Sequence, residues 1–157
     1  MTRKLTVGVL LFAVLAAVSV AAGWGFATSK AAQPRTLRYD GFDAARTIFH
    51  GGQVVADREP SRGDSMTITS LFYTPGSKRP VGHGEFFITL TSADGGAGIG
   101  TLFFPEGKLV GGGVEHFRRV DTQPILGGTG AYANVRGEIV FTHLSERKFL
   151  VVIHLAR

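Results

Sequence analysis

The chain has no cysteine among its 157 residues. Disulfides, thiolate metal sites, cysteine nucleophiles and anchoring through a lipidated cysteine are therefore excluded, and stability rests on the packed core alone. Charge is sparse too. Only 18% of residues are Asp, Glu, Lys or Arg, against 44% hydrophobic, which excludes wholesale disorder. The net charge of +5 shrinks once Arg3, Lys4 and Lys30 are set aside with the N-terminal segment they belong to, leaving an excess of +2. The remaining basic residues are scattered, with only the pairs Lys78-Arg79, Arg118-Arg119 and Arg147-Lys148. There is no basic stripe with interleaved aromatics, so no nucleic-acid partner is expected. No stretch after residue 30 keeps a 3.6-residue apolar period, so long amphipathic helices are not expected in the domain.

Several chemical signatures are also missing. No Gly-x-Ser-x-Gly is present to build a nucleophile elbow. Gly127-Gly128-Thr129-Gly130 and Gly95-Gly96-Ala97-Gly98 are glycine-rich, but neither has the following helix or the Gly-Lys-Ser/Thr ending of a phosphate loop. The five histidines, His50, His83, His116, His143 and His154, show no metal-ligand spacing, and no metal is expected. His143 and His154 fall on neighbouring expected strands, but a cross-strand pair alone is not a metal site.

What is present begins with a targeting pattern. Arg3 and Lys4 precede an uncharged run from Leu5 to Ala27 whose middle, Val9 to Val18, is strongly apolar. This reads as an N-terminal hydrophobic targeting helix, either a signal peptide or an uncleaved membrane anchor. Residues 1–30 are assigned to it, 31–36 to a linker and 37–157 to the domain. Either form places the domain outside the cytoplasm, secreted or membrane-anchored.

The domain consists of short apolar runs broken by turn signals, which predicts an all-β fold. Expected strands are Thr47 to Val55, Ser65 to Tyr73, Val81 to Thr91, Gly98 to Phe104, Lys108 to Phe117, Thr122 to Leu126, Glu138 to Leu144 and Lys148 to Leu155. Thr74-Pro75-Gly76-Ser77 has the residues of a type II turn. Gly111-Gly112-Gly113 predicts a bulge or sharp coil within a strand, as barrel closure requires. The last strand is apolar on both faces, with Phe149, Val151, Ile153 and Leu155 on one and Leu150 and Val152 on the other. That pattern fits a barrel whose outer face packs on a neighbour. Glycine, at 22 residues, is about twice its usual share of roughly 7%.

Four blocks, in order, carry a resemblance. They are Pro60-Ser61-Arg62-Gly63-Asp64-Ser65 with Leu71-Phe72-Tyr73; Lys78-Arg79-Pro80-Val81-Gly82; Gly100-Thr101-Leu102-Phe103-Phe104-Pro105-Glu106-Gly107-Lys108-Leu109; and Leu126-Gly127-Gly128-Thr129-Gly130-Ala131-Tyr132 with Val135-Arg136-Gly137-Glu138. The chain resembles the allene oxide cyclase barrel and dirigent-like family over residues 57 to 155, and is most similar to its secreted bacterial members. The resemblance implies a closed eight-stranded antiparallel barrel, often a homotrimer. It implies an interior that binds an apolar small molecule, lipid-, phenolic- or polyketide-derived, and steers its cyclisation or coupling as an isomerase-like or dirigent-like protein. No metal or organic cofactor is implied. The first expected strand has no carboxylate before Asp57, unlike the plant cyclases, and the cysteine pair of many secreted relatives is missing.

Candidate catalytic residues follow. Arg136 stands in the family's Ala-Arg-Gly position, where a guanidinium polarises a carbonyl or guides a phenolate; the competing reading is a structural ion pair. His83 and Glu85 share a strand face and would act as a proton-transfer pair if that face lines the cavity. Phe87, Phe103 and Tyr132 are the candidate ligand-binding aromatics. The competing function is a non-catalytic cell-surface binding or structural module with a filled barrel. A roomy interior with convergent polar groups separates the first from the second.

Overall fold

A computed structural model describes residues 34–55, 59–117 and 119–156. The expected targeting segment, 1–30, lies outside the described residues. The strands are β1 (Arg35–His50), β2 (Gln53–Val55), β3 (Ser65–Tyr73), β4 (Gly82–Ser92), β5 (Gly95–Phe104), β6 (Gly107–His116), β7 (Val120–Gly128), β8 (Arg136–His143) and β9 (Lys148–Ala156), with a single 3-10 turn at Gly130–Tyr132. From β3 to β9 each strand pairs with the next in antiparallel fashion, and β1 pairs with both β3 and β9. The result is a closed eight-stranded antiparallel barrel, with β2 attached to β1 as a short hairpin arm.

The expected strands are present, but the first differs most. β1 begins at Arg35, two residues inside the span read as a linker, and ends at the Gly51-Gly52 turn, where both glycines have positive φ. Its N-terminal half, Arg35 to Phe42, pairs with β9 and closes the barrel. That half was hidden in the sequence because only Leu37 and Tyr39 supply inward apolar side chains before Gly41 and Asp43 interrupt the alternation. The Pro75-Gly76 turn forms as expected, with Gly76 at φ +80° and the Ser77 N–H donating to the Thr74 carbonyl at 2.9 Å. The triple glycine also behaves as expected: the β6–β7 register shifts between Val110 and Gly111.

Two-residue alternation sends Met66, Ile68, Ser70 and Phe72 of β3 inward, with Phe86, Ile88 and Leu90 of β4 and Phe149, Val151, Ile153 and Leu155 of β9. Glycines make room for the largest of these. A Cβ on Gly84 would lie 2.6 Å from the Phe86 ring and 2.8 Å from that of Phe72; on Gly100 it would run into Phe86, and on Gly41 into Phe149. The rings interlock at centroid distances of 5.9 Å for Phe86–Phe141 and 6.0 Å for Phe141–Phe149.

The two ends of the barrel differ. At one, the β7–β8 connection folds its 3-10 turn over the opening, burying Tyr132 and Val135 against Phe104. Gly130, at φ +61°, lets that turn lie on the β5–β6 hairpin, and the Ala131 N–H donates to the Glu106 carbonyl at 2.9 Å. Tyr39 stacks on Phe104 at 4.9 Å, and burial, with Tyr132 and Glu106 nearby, pushes its hydroxyl up to about 12. This end is sealed. The other end, formed by the starts of β3, β5, β7 and β9 and the finishes of β4, β6 and β8, is polar.

The glycine–ring contacts predict a specific weakness. Gly100→Ala should destabilise the fold by about 1–3 kcal/mol, the usual cost of overpacking a filled core. Urea unfolding measures it. A variant as stable as the parent would show that the Phe86 ring has room to move.

Candidate functional site: the polar end of the barrel

Polar residues sit at inward positions on five strands near the polar end: Asp43 of β1, Ser70 of β3, Glu115 of β6, Asp121 of β7 and His143 of β8. On β1 Asp43 shares the inward parity of Leu37, Tyr39 and Gly41 and stands opposite Ser70 of β3; the register shifts directly after it, between Asp43 and Ala45, and so puts Arg46 opposite the inward Ile68. Its carboxylate accepts the Ser70 hydroxyl at 2.7 Å and the Arg46 guanidinium at 3.1 Å from Nε and 2.5 Å from Nη2. Arg46 Nη2 also donates to the Glu146 carbonyl at 2.5 Å. On β6 the inward set Leu109, Gly111 and Glu115 ends in a carboxyl, and on β8 the set Ile139, Phe141 and His143 ends in an imidazole.

These last two side chains face each other. His143 Nε2 stands 3.7 Å from Glu115 Oε1, with both side chains about nine-tenths buried. The distance is too long for a hydrogen bond, and His143 Nε2 has no hydrogen-bond partner, the one such buried side-chain atom among the described residues. Burial pushes the Glu115 carboxyl up to about 7; the charges of Asp121 and Asp43 add to this and Arg46 opposes it. Burial lowers the His143 imidazole against the opposing pull of Asp121 and Asp43. Near neutral pH the pair therefore holds an acid on the point of ionising beside a neutral imidazole. That is the condition for moving a proton in either direction.

Aromatic rings enclose the pair. Phe86, Phe117, Phe141 and Phe149 line the same space as Asp43, Arg46, Ser70, Glu115 and His143. The space left among them is about 10 Å3, room for roughly one water molecule. On the rim, two further imidazoles are each oriented by a buried carboxylate. His50 Nδ1 lies 2.7 Å from Asp64 and His116 Nδ1 2.8 Å from Asp121.

The residues singled out in the sequence lie elsewhere. Glu85 and Phe87 have the opposite parity to the inward Phe86 and point outward. With Thr67, Thr69, Ile99 and Thr101 they line an open surface groove of about 390 Å3. His83 stacks parallel on Phe103 at 4.5 Å on the same outer face, and Lys108 Nζ sits 5.0 Å from the Phe103 ring centre. The face shared by His83 and Glu85 is thus not the interior one. Arg136 is exposed at the start of β8, at the sealed end, with its Cα opposite Ala156. Tyr132 is inside, but as part of the plug at that same end. His143 and His154 do not face each other, since Phe149 is the register partner of His143 and Glu138 that of His154. Among the described residues no group of three or more metal-ligating side chains comes together.

Asp43, Ser70, Glu115 and His143 were not singled out as site residues. The signal for three of them was present: a polar residue at the inward parity of an otherwise apolar strand. Asp43 has the inward parity of Leu37 and Tyr39, but that half of β1 lay outside the expected strands.

This architecture is that of the allene oxide cyclase and dirigent-like barrels. Solved structures of the same fold include a pyocyanin demethylase (TM-score 0.62, 20% identity, covering 78% of this chain and 100% of that one). They include a pterocarpan synthase dirigent protein (TM-score 0.61, 17% identity, 78% of this chain and 83% of that one). A third is a Diels–Alderase from Streptomyces koyangensis (TM-score 0.60, 14% identity, 83% of this chain and 72% of that one). The sequence matches no protein-family model and no curated protein.

The raised Glu115 carboxyl makes a stability prediction. Between its ordinary value of 4.5 and about 7 the folded state binds more protons than the unfolded chain. Its contribution is fully present below pH 4.5 and lost as the pH rises through 7, a change of roughly 3 kcal/mol. His143, lowered from its ordinary value of 6.5, acts in the opposite sense, its contribution being lost as pH falls. The comparison of Glu115→Gln with the parent isolates the carboxyl: the variant should gain on the parent by about 3 kcal/mol across that window. A stability difference that stays flat from pH 4.5 to 7 in denaturant titrations would show that Glu115 ionises freely.

Proposed function

We propose that the barrel takes up a small, largely apolar molecule at its polar end and steers its rearrangement, a cyclisation, coupling or isomerisation, by confinement and proton transfer. The observation that carries this reading is the Glu115–His143 pair, a buried carboxyl raised to about 7 and 3.7 Å from a buried imidazole nitrogen that bonds to nothing. A barrel built only for stability gains nothing from such groups. Buried ionisable side chains cost several kcal/mol each unless paired, and apolar replacements pack as well or better. Asp43 and Ser70 would orient the polar part of the ligand, and the phenylalanines would hold its frame. The matched structures are named for demethylation, pterocarpan formation and a Diels–Alder reaction, each a transformation of a small organic molecule. Ligand uptake requires the cavity to widen, and Phe117, half-buried beyond the last strand residue of β6, is the side chain we assign to that movement.

Two companion proposals rest on other features. The N-terminal run supports operation outside the cytoplasm, secreted or anchored. The exposed outward side chains Phe87, Ile99, Val114 and Leu126 on consecutive strands support association with further copies, such as a homotrimer.

The filled interior favours a second reading. With a space of only about 10 Å3 left inside, the chain would be a non-catalytic binding or structural module. A thermal-shift screen with lipid epoxides, phenolics and polyketides separates the two. A ligand at a hundred times its Kd stabilises the fold by about 2.7 kcal/mol, a rise of several degrees in Tm. We expect such a rise with at least one class, and its loss in His143→Phe. No rise with any class would leave the second reading standing.

A further inference from the structure

The charges and rings around the polar end favour one sign of ligand. Four carboxyl groups are buried there: Asp64 at 0% exposure, which accepts the Ser61 N–H and hydroxyl and lies 2.7 Å from His50 Nδ1, Asp43 at 4%, Asp121 at 5% and Glu115 at 8%. The guanidinium of Arg46 is committed to Asp43 and to the Glu146 carbonyl. Burial lowers the His143 imidazole and so favours its uncharged form. Asp121 is engaged with His116, accepting its backbone N–H at 2.7 Å and lying 2.8 Å from its Nδ1. Glu115 alone of these carboxyls has no hydrogen-bond partner within reach, its nearest nitrogen being His143 Nε2 at 3.7 Å. The rest of the wall is Phe86, Phe117, Phe141 and Phe149, and the face of a phenyl ring is its negative side. Carboxylates and ring faces together repel an anion, offer little to a neutral polar group, and attract a positive charge.

We propose that the polar end selects a cationic organic molecule: a quaternary or protonated nitrogen on an apolar frame, with Glu115 as its counter-ion and the phenylalanines around the cationic head. This deepens the proposed function and rests on the reading of that end as the ligand site. Glu115 keeps its proton until the cation arrives and then gives it up. The groups that face it are His143 on β8, Asp121 on β7, and Asp43 and Arg46 on β1. Asp121 and Asp43 resist ionisation of Glu115, and the ligand's charge offsets them. Binding is thus linked to proton release near neutral pH.

Three probes of similar size separate the possibilities: benzyltrimethylammonium, its uncharged isostere neopentylbenzene, and the anion phenylacetate. They are titrated into the full chain by NMR at about pH 6 and about pH 8. The ammonium probe is expected to bind about tenfold or more tightly than the isostere at the higher pH, within the range of desolvated cation–π and carboxylate contacts. It should lose about tenfold at the lower pH, where Glu115 holds its proton. Glu115→Gln should abolish both the preference and the pH dependence while leaving neopentylbenzene unchanged; if that variant does not fold, the pH dependence of the parent decides. Equal or tighter binding of neopentylbenzene or phenylacetate at the higher pH overturns this proposal and leaves the site reading intact. Binding of none of the three overturns both.

Discussion

Phenylalanine rings packed against bare glycine backbone set the dimensions of this barrel. Phe149 lies against Gly41, and Phe86 against Gly84 and Gly100. An eight-stranded barrel has an interior just wide enough for side chains to fill it. Here the fill is uneven: large rings alternate with positions that have no side chain at all. The strands can then approach and coil without leaving a void, and dispersion contacts are kept on all sides of each ring. A chain without disulfides depends on this interlock for its stability. The same interlock leaves the space at the polar end small.

β1 joins the closure of the barrel to its polar end. Its first half pairs with β9 and removes the last free edges of the main sheet, which an open sheet would present to other chains. Where it passes beyond β9, Asp43 brings a carboxylate into the barrel at the parity of Leu37, Tyr39 and Gly41, and the register shifts directly after it, between Asp43 and Ala45. The Asp43 N–H still bonds to the Arg147 carbonyl at 2.9 Å, so the bulge is held from the β9 side as well. Asp43 in turn collects Ser70 and Arg46, and its charge helps keep the proton on Glu115. One carboxylate on the closing strand thus tunes a group on another wall of the interior.

Most of the fold could be read from the sequence because strand alternation and turn chemistry are local. Ser65 to Tyr73 was bounded correctly from its pattern alone, and Pro75-Gly76 and the triple glycine at 111–113 formed the turn and the bulge their residues imply. The closing half of β1 could not be read, because its stability comes from partners more than a hundred residues away rather than from its own apolar pattern. The site was harder still. Parity tells which residues share a face, but not which face is inside. Glu85 and Phe87 were grouped together correctly, and the structure puts that group outside. The Glu115–His143 pair needed two registers at once, β6 with β7 and β7 with β8, and the first of these contains a shift.

The plug of Tyr132, Val135 and Phe104 has a consequence for traffic. A barrel sealed at one end is a vessel with a single doorway. A molecule taken up as proposed would enter and leave by one route, past the imidazoles and carboxylates of the polar end. On the proposed reading, anything formed inside would have to clear that doorway before the next molecule entered.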